Sequence, residues 1–154
     1  MDTASPSSTA SQTDNPSAMQ HTFQERHRLA DFRFRRTPDG RCTAEVALEW
    51  EGNVARGTAS GLSNPNTDLR VSAEAALQAL DTLTEQRFGF EVVGVKSVRV
   101  FDATVTIVSI GTKRGAAPRR ILGVALVEQD QARGAVLAVL NATNRVFTNY
   151  LALR

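Results

Sequence analysis

Cysteine, histidine, lysine and long apolar runs are all scarce in this sequence, and each scarcity removes a class of function. Cys42 is the only cysteine among 154 residues, so no intramolecular disulfide can form and no thiolate zinc site can be assembled. The two histidines, His21 and His27, fall in or beside a polar N-terminal stretch, which leaves the folding region without an imidazole. That inventory excludes a Ser-His-Asp or Cys-His nucleophile and leaves only carboxylates to hold a metal. No apolar run approaches the roughly 20 residues of a membrane-spanning helix. The N-terminus lacks the basic and apolar regions of a signal peptide. No Walker loop is present, and no glycine cluster of the dinucleotide-binding kind follows a strand. These absences predict a cytoplasmic protein that is not an enzyme, needs no cofactor and has no membrane partner.

What remains is ordinary for a globular domain. Hydrophobic residues make up 42% and charged residues 22%, enough to build one core and its solvated surface. The formal net charge is only +2, so any argument for a polyanionic partner has to come from local clustering. Lysine occurs only at Lys96 and Lys113, and every other base is arginine. Arginine suits bidentate anion recognition, although a uniform bias of this kind more often reflects genomic composition.

Residues 1–28 are rich in Ser, Thr, Gln and Asp and have almost nothing to bury. Ordering them would cost about 1–2 kcal/mol per residue without compensation, so they read as a disordered tail, with Met19 an alternative start. Residues 29–154 then read as one α+β domain. It comprises two pseudo-repeated β-β-β-α units, at about 29–88 and 89–154, with mainly antiparallel sheet and helices packed on one face. Period-two alternation sets Ala30, Phe32 and Phe34 against Asp31, Arg33 and Arg35, and sets Ala44, Val46, Leu48 and Trp50 against Thr43, Glu45, Ala47 and Glu49. A third strand places Ala55, Gly57 and Ala59 opposite Arg56, Thr58 and Ser60. Gly61 to Thr67 reads as loop, and Asp68 or Ser72 as the cap of a helix carrying Ala73, Ala76, Leu77, Leu80 and Leu83 and closed by Phe88-Gly89-Phe90. The second unit repeats the plan, with a bulge near Lys96-Ser97, a basic hairpin loop over 111–118, and Asp130 capping a long final helix. Superposing the units aligns Gly57-Thr58-Ala59 with Gly123-Val124-Ala125, and Ala75-Ala76-Leu77 with Ala135-Val136-Leu137.

Two features point to partners. Where the first unit exposes Arg56, Thr58 and Ser60, the second has Leu122, Val124 and Leu126, joined in this reading by Val108 and Ile110 of the neighbouring strand. A sheet apolar on both faces needs a second cover, and with no spare helix that cover is another copy of the chain. The expected state is a homodimer. Gly134, inside a helix where glycine costs about 1 kcal/mol, implies close approach by a strand or a partner. The second feature is basic clustering, with Arg33, Arg35 and Arg36 on the first strand and Lys113, Arg114, Arg119 and Arg120 around the hairpin loop. Together they are candidate anion-binding residues for nucleic acid or another polyanion; the competing reading is a solvated edge strand and hairpin tip. Glu45, Glu49, Glu128 and Asp130 have structural explanations on a strand face and at a helix start. The expectation is therefore a binding or oligomerisation module, engaging a small ligand or a protein partner, with nucleic-acid binding as the alternative.

The repeated β-β-β-α plan, and above all the helix Ala132-Arg133-Gly134-Ala135-Val136-Leu137-Ala138-Val139-Leu140-Asn141, resembles the C-terminal regulatory, dimer-forming domain of 2-isopropylmalate synthase over about residues 42–147. That resemblance implies a stand-alone dimerisation or ligand-sensing module without the catalytic barrel. The family's glycine-rich turn before its first helix is here the stretch from Gly57 to Ala73, where Gly57, Gly61 and Pro65 are differently spaced. The strand meander also looks like a double-stranded RNA-binding domain, but Asp68-Leu69-Arg70-Val71-Ser72-Ala73-Glu74 lacks the basic pair with which that family grips phosphates.

Overall fold

A computed structural model describes residues 27–114 and 119–152, with side chains to residue 146 in the last helix. Most of the polar N-terminal stretch, with Met19 and His21, lies outside the described residues, as do the tip of the basic hairpin and the side chains of Phe147 and Tyr150. The described chain runs β1 (Arg28–Arg36), β2 (Arg41–Trp50), β3 (Asn53–Leu62), α1 (Pro65–Leu83), then β4 (Phe90–Val100), β5 (Ala103–Thr112), β6 (Arg120–Val127) and α2 (Gln131–Ala152). The strands form two antiparallel three-stranded sheets, β1-β2-β3 and β4-β5-β6. This is an α+β fold of two β-β-β-α units.

Each helix lies on one face of its own sheet, and the helices also touch each other, so the units share one core. In the first unit the alternation of β2 turns Ala44, Val46 and Leu48 inward, with Gly57 and Ala59 of β3 beside them, as the sequence predicts. Gly57 permits the close approach of α1: a Cβ there would overlap the Ala75 carbonyl. Gly123 stands in the same relation to Ala138 of α2. The expected alignment of the helices is thereby corrected, because Ala75 corresponds to Ala138, three residues beyond Ala135. A three-residue shift nearly preserves the helix face, so the pattern of small residues cannot distinguish the two alignments.

Further details match between the units. A bulge interrupts β1 between Leu29 and Asp31, and another interrupts β4 between Val92 and Gly94. The first leaves Ala30 exposed instead of inward with Phe32. The second lies upstream of the expected Lys96-Ser97, since valines on both sides of the slip hide the change of phase. On β3, Gln78 of α1 accepts the Thr58 N–H at 2.6 Å; on β6, Asn141 of α2 donates to the Val124 carbonyl at 2.8 Å.

The helix ends follow local chemistry. α1 begins before the expected Asp68 or Ser72, because Asn64 caps the Thr67 N–H at 2.8 Å and Pro65 occupies the first turn, where no N–H is needed. It ends at Leu83, and Phe88 and Phe90 pack beyond it with ring centroids 5.3 Å apart. Asp130 caps α2 as expected, accepting the Arg133 N–H at 3.1 Å. Gly134 is explained within the chain, since a Cβ there would collide with Val127 and press on Thr106.

His27 overturns the expectation of a folded region without histidine. It is only 2% exposed, and its Nε2 lies 2.9 Å from the Thr143 hydroxyl of α2, fastening the start of β1 beneath that helix. Thr143 donates to the Val139 carbonyl at 2.8 Å, which leaves its oxygen to accept from the ring. Burial pushes the imidazole pKa from 6.5 down to about 3.

Candidate self-association face

Strand pairing determines which side chains share the outer face of each sheet. In β1-β2-β3 one row is Arg33, Glu45 and Thr58, and the next is Arg35, Thr43 and Ser60. The corresponding rows of β4-β5-β6 are Lys96, Ile107 and Val124, then Val98, Val105 and Leu126. A third row joins Gly94, Ser109 and Leu122. One backbone arrangement thus carries a polar outer face in the first unit and an apolar one in the second. Leu122 is 57% exposed, Val124 43% and Leu126 63%. Val93 and Val100 are also exposed, near opposite ends of β4.

The expected membership of this face needs one correction. Val108 and Ile110 are fully buried, opposite Gly123 and Ile121 on the side covered by α2. Their places beside Val124 and Leu126 belong to Ile107 and Val105. Sequence reading missed these two because both parities of β5 are apolar: Val105 and Ile107 alternate with Thr106, Val108 and Ile110, leaving no polar face to reveal the register.

The candidate anion-binding residues are not gathered into one cradle. Arg33 pairs with Asp31 at 3.2 Å, Arg35 with Glu45 at 3.1 Å and Arg28 with Glu49 at 2.8 Å, all on the outer side of the first sheet. Arg36 turns to Asp68 at 2.7 Å and lies over the Phe34 ring. On the other sheet Lys113 pairs with Glu91 at 3.3 Å, and Arg114 donates to the Gln86 carbonyl at 3.1 Å. Arg119 and Arg120 are exposed at the start of β6.

Asp68 is the hub of a small polar network beside a cleft. Burial opposes its charge, but hydrogen bonds from Arg36, Ser63 and Cys42, with the guanidinium charge, hold its pKa below the ordinary carboxylate value. Burial and the neighbouring Asp68 raise the Cys42 thiol pKa, the opposite of an activated nucleophile. The cleft, of about 660 Å³, is lined by Phe34, Arg36 and Asp68, and by the cap and first residue of each helix, Asn64-Pro65 and Asp130-Gln131. Among the described residues no cluster of His, Cys, Asp or Glu is placed to hold a metal, and no helix is long and apolar enough to cross a membrane. No family model matches this chain, and no curated protein matches it.

Proposed function

We propose that this chain is a non-enzymatic oligomerisation module that pairs with a second copy of itself through the outer face of β4-β5-β6. One observation carries the reading: positions that hold Arg35, Thr43 and Ser60 in the first sheet hold Val98, Val105 and Leu126 in the second. A duplicated unit that kept its polar face once and replaced it with valine and leucine once has a use for the apolar copy. Two such faces stack about 10 Å apart as a sandwich. Lys96, at the β4 margin, stays at the rim of such a contact. Lateral pairing is disfavoured because Gln78, Asn141 and Arg70 already bond to Thr58, Val124 and Val92 on the strand edges. We place the chain in the cytoplasm, where Cys42 stays reduced.

Sedimentation velocity on the full chain at tens of micromolar tests the reading. A dimer is expected, with Val124→Glu converting it to a folded monomer. A wild-type monomer at that concentration overturns it.

A second reading is favoured by the cleft. Two helix N-termini open onto it beside Arg36, and their dipoles favour a carboxylate or phosphate. A small anionic ligand at about a hundred times its Kd would stabilise the fold by about 2.7 kcal/mol. A thermal-shift screen of amino acids and nucleotides reads this directly, and no shift would end it. The polyanion alternative draws on the exposed Arg119 and Arg120; retention on heparin that is insensitive to salt, or no retention, removes it.

A further inference from the structure

We infer that the outer face of β4-β5-β6 is self-complementary about one particular twofold axis, which runs parallel to the strands over β5 and seats a second copy of the chain. The inference rests on the face-to-face reading above and adds the geometry of the contact. Strand pairing runs Glu91, Gly111 and Arg120 across one end of that face, with the acid on the β4 margin and the base on the β6 margin. The Glu91 side chain leans inward over Gly111, where a Cβ would lie 3.2 Å from its Oε1. Glu91 pairs with Lys113 yet stays 49% exposed, and Arg120 is exposed with no acidic partner among the described residues. A cover for this face must therefore meet a carboxylate at one margin and a guanidinium at the other, because closing off a charge without a partner is strongly unfavourable. Rotation about the stated axis exchanges the margins and keeps each row level. Glu91 then meets Arg120 of the second copy, and Arg120 meets its Glu91.

Shape agrees under the same rotation. The next row runs Gly94, Ser109 and Leu122. Leu122 is 57% exposed, whereas Gly94 presents no side chain. Nothing within the chain asks for that glycine. Its φ lies outside the left-handed region that would make a bulge select glycine, and a Cβ there would meet nothing within 4 Å. Glycine weakens a strand, and one use for it is close approach by another surface. Exchanging the margins sets Leu122 of each copy into the space at Gly94 of the other, while Ile107 meets its own counterpart in the following row. Lys96 lays its stem along Val124 and keeps its ammonium at the rim. A twofold across the strands would instead carry the row of Glu91 and Arg120 onto Val98, Val105 and Leu126, leaving the charges against aliphatic side chains.

The test mixes pairs of full-chain variants. Glu91→Arg alone and Arg120→Glu alone each set like charges against one another across the axis, and each should weaken the dimer Kd by about tenfold in sedimentation equilibrium. Mixed in equal amounts, with one variant isotope-labelled, they should form heterodimers well above random mixing in native mass spectrometry, because each supplies the charge that the other lacks. Gly94→Leu and Leu122→Gly form a second, uncharged pair that should prefer each other in the same way, and this pair decides if a charge variant fails to fold. Random mixing in either folded pair, while Val124→Glu still disrupts the wild-type dimer, overturns the axis and retains the face. A wild-type chain that does not associate overturns both.

Discussion

Acidification should loosen this protein through His27 before its carboxylates matter. Burial holds the folded imidazole near 3, whereas in the unfolded chain it titrates at 6.5. Between those values the unfolded state binds a proton that the folded state refuses, so stability is complete above 6.5 and falls as the pH drops toward 3. At about pH 5 the protonated unfolded form outweighs the neutral one roughly thirtyfold, a loss of about 2 kcal/mol, rising to about 3 near pH 4. These values are upper bounds, because His27 precedes the first strand and that end can detach from Thr143 before the domain unfolds. Urea titrations at about pH 7.5 and pH 5 measure the loss. His27→Gln supplies the control: its amide can donate to the Thr143 hydroxyl but does not titrate, so its stability should change much less over the same interval. Equal losses in wild type and variant would refute the burial of this ring. Exchange of the amides at 28–31 that quickens in acid only in wild type would show that the strand end opens first.

Other consequences of the packing are open to direct test. Gly57→Ala and Gly123→Ala should each cost about 2–3 kcal/mol in thermal unfolding, since the added carbon overlaps helix carbonyls that cannot retreat alone. Gly134→Ala, which on propensity should stabilise the helix by about 1 kcal/mol, should destabilise instead, and Val127→Ala in the same chain should restore part of the loss. Asp68→Asn should weaken the tie between Arg36, Ser63 and Cys42 and reduce stability at neutral pH by about 1–2 kcal/mol. Because the Asp68 pKa is depressed, that difference should be complete above about pH 4 and fade in stronger acid.

Legibility followed polarity. Wherever one face is buried and the other wet, the pattern was readable: β2 and β3 turn the expected residues inward, and the Asp130 cap stands where a carboxylate before a helix should be. The apolar side of β6 was visible for the same reason, in the contrast of Leu122, Val124 and Leu126 with Arg56, Thr58 and Ser60. The signal failed where that contrast vanishes. β5 is apolar on both sides, so nothing in its composition separates Ile107 from Val108. The β4 bulge lies among valines. His27 was hidden because its neighbours in sequence are polar, while Thr143, the residue that gives it a place, lies 116 positions away.

The bond from Asn141 to the Val124 carbonyl has a consequence beyond the native state. Residues 121–127, Ile-Leu-Gly-Val-Ala-Leu-Val, form an uncharged, proline-free run of the kind that stacks into fibrils. Its hydrogen-bonding border faces outward at the middle of that run, and one amide side chain stands in the way of a templating strand. Asn141→Ala should therefore leave melting nearly unchanged yet shorten the lag before thioflavin-positive fibres appear, making this asparagine a guardian of solubility.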